Sequence, residues 1–387
     1  MGKRQVFTKI SKWMIVFLLL AAFFTAGKQE KEKSNFFQIG KEVFQHSVIK
    51  QMLYSQSMIL GMTAEQELTG WSRKAVIRTD GFLLSEKQEN IIMAEQELEL
   101  GLQKENEVAV QETKEEVVLE EPEEFIPIQN KQKEINMEEY KNIEALVNAF
   151  YTVDATTSVD ETFFNVETLD SYDCTLDTKV EGPQILLYHT HSQETFVDSE
   201  LGKEADTIVG AGEILAKLLE SYGYKVYHHK GKYDVESRDY AYSNSLSDIE
   251  AILKENPGIQ VVIDLHRDAV AEETKLVTQV QGRQTAKVMF FNGLGRSKEK
   301  GEISYLKNPY LQENLAFSFQ MKVACDEYYP GFARNIYLRA YRYNMHLCPK
   351  TLLIELGAQT NTKEEIHNAL EPLAHVLDIV ISGKNKK

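Results

Sequence analysis

Three apolar runs in the C-terminal half of the chain end in the same manner. Ile185-Leu186-Leu187 passes into Tyr188-His189-Thr190-His191-Ser192-Gln193-Glu194, Val261-Val262-Ile263-Asp264-Leu265 into His266, and Thr351-Leu352-Leu353-Ile354 into Glu355. Short continuous apolar runs predict strands buried on both faces, as in parallel sheets, with polar chemistry starting where each strand emerges. Further strands are predicted at Tyr224 to His228, Thr285 to Phe291 (after the turn-like Gln281-Gly282-Arg283) and Asn335 to Leu338. Between them, Thr207 to Tyr222 carries Ile208, Ala211, Ile214, Leu215, Leu218 and Leu219 on one helical face. Leu246 to Glu255 reads as a helix stopped by Asn256-Pro257-Gly258, and Tyr310 to Tyr328 as a long one. Lys363 to Ile381 closes the chain as a helix capped by Asn361 or Thr362. Strands alternating with helices predict an α/β domain: a mostly parallel or mixed sheet of about six strands with helices on both faces.

The N-terminal third has a different pattern. Lys3, Arg4, Lys9 and Lys12 precede an uncharged apolar stretch from Trp13 to Gly27. Phe24 occupies the position where a cleavable signal needs a small residue, so 1–34 reads as a basic cytoplasmic stub and an uncleaved membrane anchor. The expected location is the cell membrane, single-pass, with the bulk of the chain on the extracytoplasmic side. Residues 35–94 hold short amphipathic stretches and form a membrane-proximal segment. Residues 95–139 read as an acidic linker: Glu95 to Glu124 contains twelve Glu and two Lys and has no sustained apolar period. Residues 140–387 are the predicted catalytic domain. The net charge of −16 argues against a nucleic-acid partner, and much of it resides in the linker. Cys174, Cys325 and Cys348 lack C-x-x-C spacing and read as core residues rather than a disulfide framework or thiolate zinc site.

Three strand ends bearing histidine or carboxylate at one sheet edge suit a catalytic Zn2+ site, which takes three protein ligands and leaves a position for water. His191, Glu194 and His266 are the predicted ligands. His189 is the rival of His191, since on one strand the two would share a face, and Asp206 is the rival carboxylate. Glu355, directly after an apolar run, is costly unless it is paired or functional. It is the predicted general base, with Arg339 the arginine chosen to polarise the scissile carbonyl or bind a substrate carboxylate. Arg267 and Asp268 read as local ion-pair formers with neighbours such as Asp264.

The segments Tyr188 to Glu194, Val262-Ile263-Asp264-Leu265-His266-Arg267-Asp268, Phe290-Phe291-Asn292-Gly293, and Leu353-Ile354-Glu355-Leu356-Gly357-Ala358-Gln359-Thr360-Asn361 together resemble the stage II sporulation protein P family. The resemblance runs from about Asn148 to the C-terminus. It implies a membrane-anchored, zinc-dependent cell-wall hydrolase of sporulation and engulfment, similar to the zinc N-acetylmuramoyl-L-alanine amidases. The implied substrate is peptidoglycan, cut between muramic acid and L-Ala of the stem peptide, with cross-link endopeptidase activity alongside. The implied partners are a lytic transglycosylase and a membrane scaffold protein of the engulfment machinery. In the general amidases the ligand glutamate lies farther beyond the first histidine than Glu194 does. Two other readings stay open: a carboxypeptidase-like zinc hydrolase of another peptide, and a non-catalytic wall-binding scaffold.

Overall fold

In the computed structural model, which describes residues 125–384, the apolar runs become strands of one seven-stranded sheet. In chain order these are β1 (Tyr151–Val153), β2 (Ile185–Tyr188), β3 (Val226–His228) and β4 (Val261–Asp268). After them come β7 (Val288–Gly293), β10 (Ile336–Arg339) and β11 (Thr351–Ala358). Strands β5 (Val277–Val280) and β6 (Arg283–Ala286) form a separate hairpin, as do β8 (Arg296–Ser297) and β9 (Gly301–Glu302). The helices are α1 (Ile143–Phe150), α2 (Val166–Ser171), α3 (Ile208–Ser221), α4 (Ala241–Glu255), α5 (Leu311–Tyr328) and α6 (Lys363–Ile381). Six strands were expected; the seventh is β1, a three-residue edge strand beside β10. The single strand expected over Thr285 to Phe291 divides instead at Lys287, its first part joining the hairpin. Gln281 and Gly282 both take positive φ (51° and 78°), the backbone that a tight two-residue hairpin turn requires.

The sheet order is β1-β10-β7-β11-β4-β2-β3, and every neighbouring pair is parallel except β7 with β11. That one antiparallel seam divides the sheet into two blocks running in opposite directions. Strands β2, β3, β4 and β11 end at one edge, and β1, β7 and β10 end at the other.

Strand alternation sorts side chains between two layers. Ile185, Leu187, Ile263, Leu265, Leu352, Ile354 and Leu356 join the main core with α3, α5 and α6. Leu186, Tyr188, Val262 and Leu353 face the opposite layer, where α4 supplies Tyr242, Leu246, Ile249 and Ile252. Helix α6 starts with a capping box, Thr362 accepting from the Glu365 backbone while Glu365 accepts from the Thr362 backbone. The three cysteines are buried and form no disulfide. Among the described residues no helix is long and apolar enough to cross a membrane. The predicted anchor, the membrane-proximal segment and the acidic stretch up to residue 124 lie outside the described residues.

The folded chain starts ahead of Tyr140, where the sequence placed the boundary. Phe125 packs beneath the Arg283 guanidinium and against Tyr329. Ile126 and Gln281 exchange two hydrogen bonds, at 3.1 and 2.6 Å. Lys131 pairs with Glu327 at 2.8 Å, and the Gln132 and Lys133 amides donate to the Glu327 carbonyl. Ile128, Ile135 and Met137 rest on the main core. Partial burial of these apolar groups contributes roughly 3 kcal/mol. A fragment beginning at residue 140 is therefore expected to unfold at lower urea concentration than one beginning at residue 125. Coincident transitions would show that residues 125–139 add nothing to the fold.

Candidate functional site

Alternation along β4 puts Asp264, His266 and Asp268 on the α4 side of the sheet, together with Val262. The β11 register sets Glu355 opposite His266, so both leave the sheet at the same edge and on the same side. Strand β2 ends at Tyr188, and the chain then turns. His189 keeps the alternation and enters the α3 layer, where a Cβ on Gly212 would lie 2.6 Å from its ring. Its Nδ1 donates to the Leu265 carbonyl (2.8 Å) and its Nε2 pairs with His228 Nε2 (2.9 Å). Both ring nitrogens are spent, so His189 does not compete with His191 for a metal.

His191 falls on the other side. Its ring centroid lies 5.3 Å from that of His266, its edge meets the Tyr242 ring, and Tyr242 stacks on His266 at 17°. His191 Nδ1 is buried without a hydrogen-bond partner, 3.9 Å from Asp234 Oδ2. Glu194 Oε2 lies 3.6 Å from His266 Nδ1. Two ligands of one tetrahedral zinc stand about 3.3–3.5 Å apart, given metal–ligand bonds of about 2.0–2.2 Å, so this pair is spaced to share an ion. Among the described residues no three His, Cys, Asp or Glu side chains stand ready to hold an ion as placed. The donor set nevertheless fits zinc: two imidazoles and a carboxylate, with two buried ring nitrogens, His191 Nδ1 and His266 Nε2, lacking a hydrogen-bond partner.

Neighbouring groups orient these side chains. Asp264 accepts from the Thr190 backbone (2.9 Å) and hydroxyl (2.6 Å), tying the end of β2 to β4. Its Oδ1 lies 2.8 Å from His266 Nε2, close but not aligned as a good hydrogen bond. A carboxylate behind an imidazole is the arrangement that orients metal-binding histidines. Glu194 accepts from Arg238 (3.0 Å) and from the Arg267 amide (2.9 Å). Asp234 accepts from the Ser192 hydroxyl and the Gln193 amide, clamping the turn that carries His191 and Glu194.

The electrostatics follow from this packing. Burial alone would push the His266 imidazole down, but Asp264 and Glu194 reverse this and hold it well above its ordinary range. Burial also opposes ionisation of Glu194, yet His266, Arg267 and Arg238 hold its carboxyl well below the usual value. His191 is depressed to about 3, by burial and then by Arg238. Glu355 is pushed up to about 8 by burial, with Asp268 adding to the shift. Its Oε2 is shielded from water and has no partner.

Two predicted residues stand apart from this cluster. Arg339 ends β10, in the block that runs the other way, so it lies at the opposite edge of the sheet from Glu355. There it is buried and pairs with Asp154 at 3.6 Å. Asp206 is tied to Lys363 (2.6 Å) and accepts from the Glu200 amide, so it has a structural role. Arg334, which precedes β10, stands at the Glu355 edge instead and reaches Asp268 Oδ2 at 2.5 Å. Arg267 donates to the Thr195 and Asp268 carbonyls rather than pairing with Asp264. The i, i+2 relation of Asp264 to His266 inside an apolar run was a readable signal. Asp234 and Arg238, in an irregular segment some forty residues beyond the groups they hold, left none.

Family comparison extends this picture. The model for stage II sporulation protein P (SpoIIP) matches residues 74–378. The chain belongs to the stage II sporulation protein P family. The match begins well before Asn148, so the family pattern takes in the acidic stretch as well. Stage II sporulation protein P of Bacillus subtilis (strain 168) is 24% identical over 213 residues, 50% of this chain and 49% of that protein. The chain thus spans about half the length of the curated relative it matches. Solved structures similar to it include an N-acetylmuramoyl-L-alanine amidase of Nostoc punctiforme, 10% identical, TM-score 0.32, covering 54% of this chain and 100% of that one. Another is the apo N-acetylmuramyl-L-alanine amidase of Mycobacterium abscessus, 12% identical, TM-score 0.33, covering 51% and 98%. At such scores the likeness carries no argument about activity.

A proton held on His266 competes with any metal that binds there, because imidazole must be neutral to coordinate. Apparent zinc affinity is therefore expected to rise with pH, because binding must displace the proton that Asp264 and Glu194 favour on His266. Competition titrations against a chelator at several pH values check this. An affinity independent of pH would contradict the arrangement.

Proposed function

We propose that this chain is a membrane-anchored peptidoglycan hydrolase of sporulation that cleaves the amide between N-acetylmuramic acid and L-Ala of the stem peptide. Cross-link endopeptidase activity accompanies it, and the anchor holds the catalytic domain on the extracytoplasmic side. In this reading it works with a lytic transglycosylase and a membrane scaffold protein during engulfment. The observation that carries the proposal is the meeting of His191, Glu194 and His266 at one sheet edge with Glu355, whose buried Oε2 has no partner.

His191, Glu194 and His266 would hold Zn2+, which supplies a Lewis acid and lowers the pKa of water when bound. Asp264 fixes the orientation of His266, and Arg238 with the Arg267 amide fixes Glu194. Tyr242 walls the histidines against water. Glu355 takes the proton of the attacking water at its carboxylate and returns it to the leaving amine. A group whose pKa lies near neutrality can do both.

Glu355→Gln keeps the size of the side chain and removes its basicity. It is expected to bind zinc near normally and lose at least about 10²-fold in activity. Free stem peptides with an L-Ala amino terminus in digested peptidoglycan would identify the amidase reaction. Other new end groups would favour a carboxypeptidase-like hydrolase, and a fully active Glu355→Gln protein would overturn the assignment of the base.

A further inference from the structure

Three arginines stand at the Glu355 edge, and their donors are differently committed. Arg238 gives one nitrogen to Glu194. Arg267 uses Nε on the Thr195 carbonyl and a terminal nitrogen on the Asp268 carbonyl. Among the described residues Arg334 makes one side-chain hydrogen bond, from a terminal nitrogen to Asp268 Oδ2, and its side chain is 32% exposed.

The sheet fixes where that contact lies. Val288, the first residue of β7, pairs with Leu356 on one side and bridges Ala333 on the other. The Arg334 amide donates to the Val288 carbonyl at 2.8 Å. Arg334 thus enters β10 at the edge where β11 ends. Its guanidinium meets Asp268 at the end of β4, on the far side of β11 in the strand order. The ion pair therefore closes over the end of β11 beside Glu355, and both its members act on the Glu355 carboxyl, Asp268 raising its pKa and Arg334 lowering it.

Asp268 is itself fully engaged, its Oδ1 accepting from the Ala269 amide at 2.7 Å and its Oδ2 holding Arg334. A guanidinium has five N–H donors in one plane. Here a buried carboxylate engages one of them while the side chain stays partly exposed, an arrangement suited to gripping a second carboxylate with two parallel hydrogen bonds. We propose that Arg334 is a specificity-determining residue that holds a free carboxylate of the peptide portion of the substrate beside Glu355. An acidic stem peptide is then cut in preference to its amidated counterpart. This deepens the peptidoglycan-hydrolase reading and rests on it.

The test compares kcat/KM of the zinc-loaded protein on N-acetylmuramoyl-L-Ala-D-Glu and on the same compound with its glutamyl carboxylates amidated. The acid is expected to be preferred roughly 10- to 100-fold, mostly through KM, the range of a charge-assisted pair. In Arg334→Gln the preference should collapse toward unity with zinc content retained. Arg334→Lys, which keeps the charge opposite Asp268 but not the fork, should fall between and serves if the glutamine variant does not fold. A wild-type protein that does not discriminate, or variants that keep the wild-type preference, would overturn the proposal. Calorimetry with the dipeptide L-Ala-D-Glu separates the two readings. Binding that needs Arg334 without cleavage of either glycopeptide rejects the hydrolase and keeps the arginine site. Cleavage indifferent to amidation and to Arg334 does the reverse.

Discussion

A carboxylate withdrawn from water has to be compensated, and the candidate site is built around that constraint. Glu194, Asp264 and Asp268 are buried at one sheet edge, with Glu355 among them. Their compensation comes from a few named groups: His266 between Asp264 and Glu194, Arg238 and the Arg267 amide on Glu194, Thr190 on Asp264, and Arg334 on Asp268. Of these four carboxylates, only Glu355 keeps an oxygen shielded from water without a partner. Leaving a buried polar group unsatisfied is costly, and such exceptions point to function. The negative field of Asp264 and Glu194 that raises the His266 pKa is also one that favours a divalent cation.

The antiparallel seam between β7 and β11 determines which residues can take part. Because β1, β7 and β10 run against β2, β4 and β11, the carboxyl ends of the two blocks lie at opposite edges. Arg339 and Arg334 are five residues apart in the chain yet stand at opposite edges, one buried against Asp154 and the other paired with Asp268 at the Glu355 edge. A wholly parallel sheet would have set Arg339 with Glu355; the antiparallel seam sends it to the other edge.

Much else was legible. The strand ends, the helices α3, α5 and α6, and the gathering of His191, Glu194, His266 and Glu355 follow from apolar runs that stop at polar residues. The choice between His189 and His191 depended on where β2 ends. Three residues more of strand would have kept both on the α3 side, and the turn after Tyr188 separates them. Strand direction, the Asp234 clamp and the packing of residues 125–139 arise from contacts between distant parts of the chain, which periodicity does not encode.

Zinc-edge anomalous diffraction from crystals of the zinc-loaded protein tests the central claim most directly, because it locates the ion independently of turnover. The account predicts one strong peak about 2.0–2.2 Å from a nitrogen of His191, a nitrogen of His266 and an oxygen of Glu194, with Glu355 outside the bonded shell. A peak bound by His189 or Asp206, or one with Glu355 as a direct ligand in place of Glu194, would contradict it.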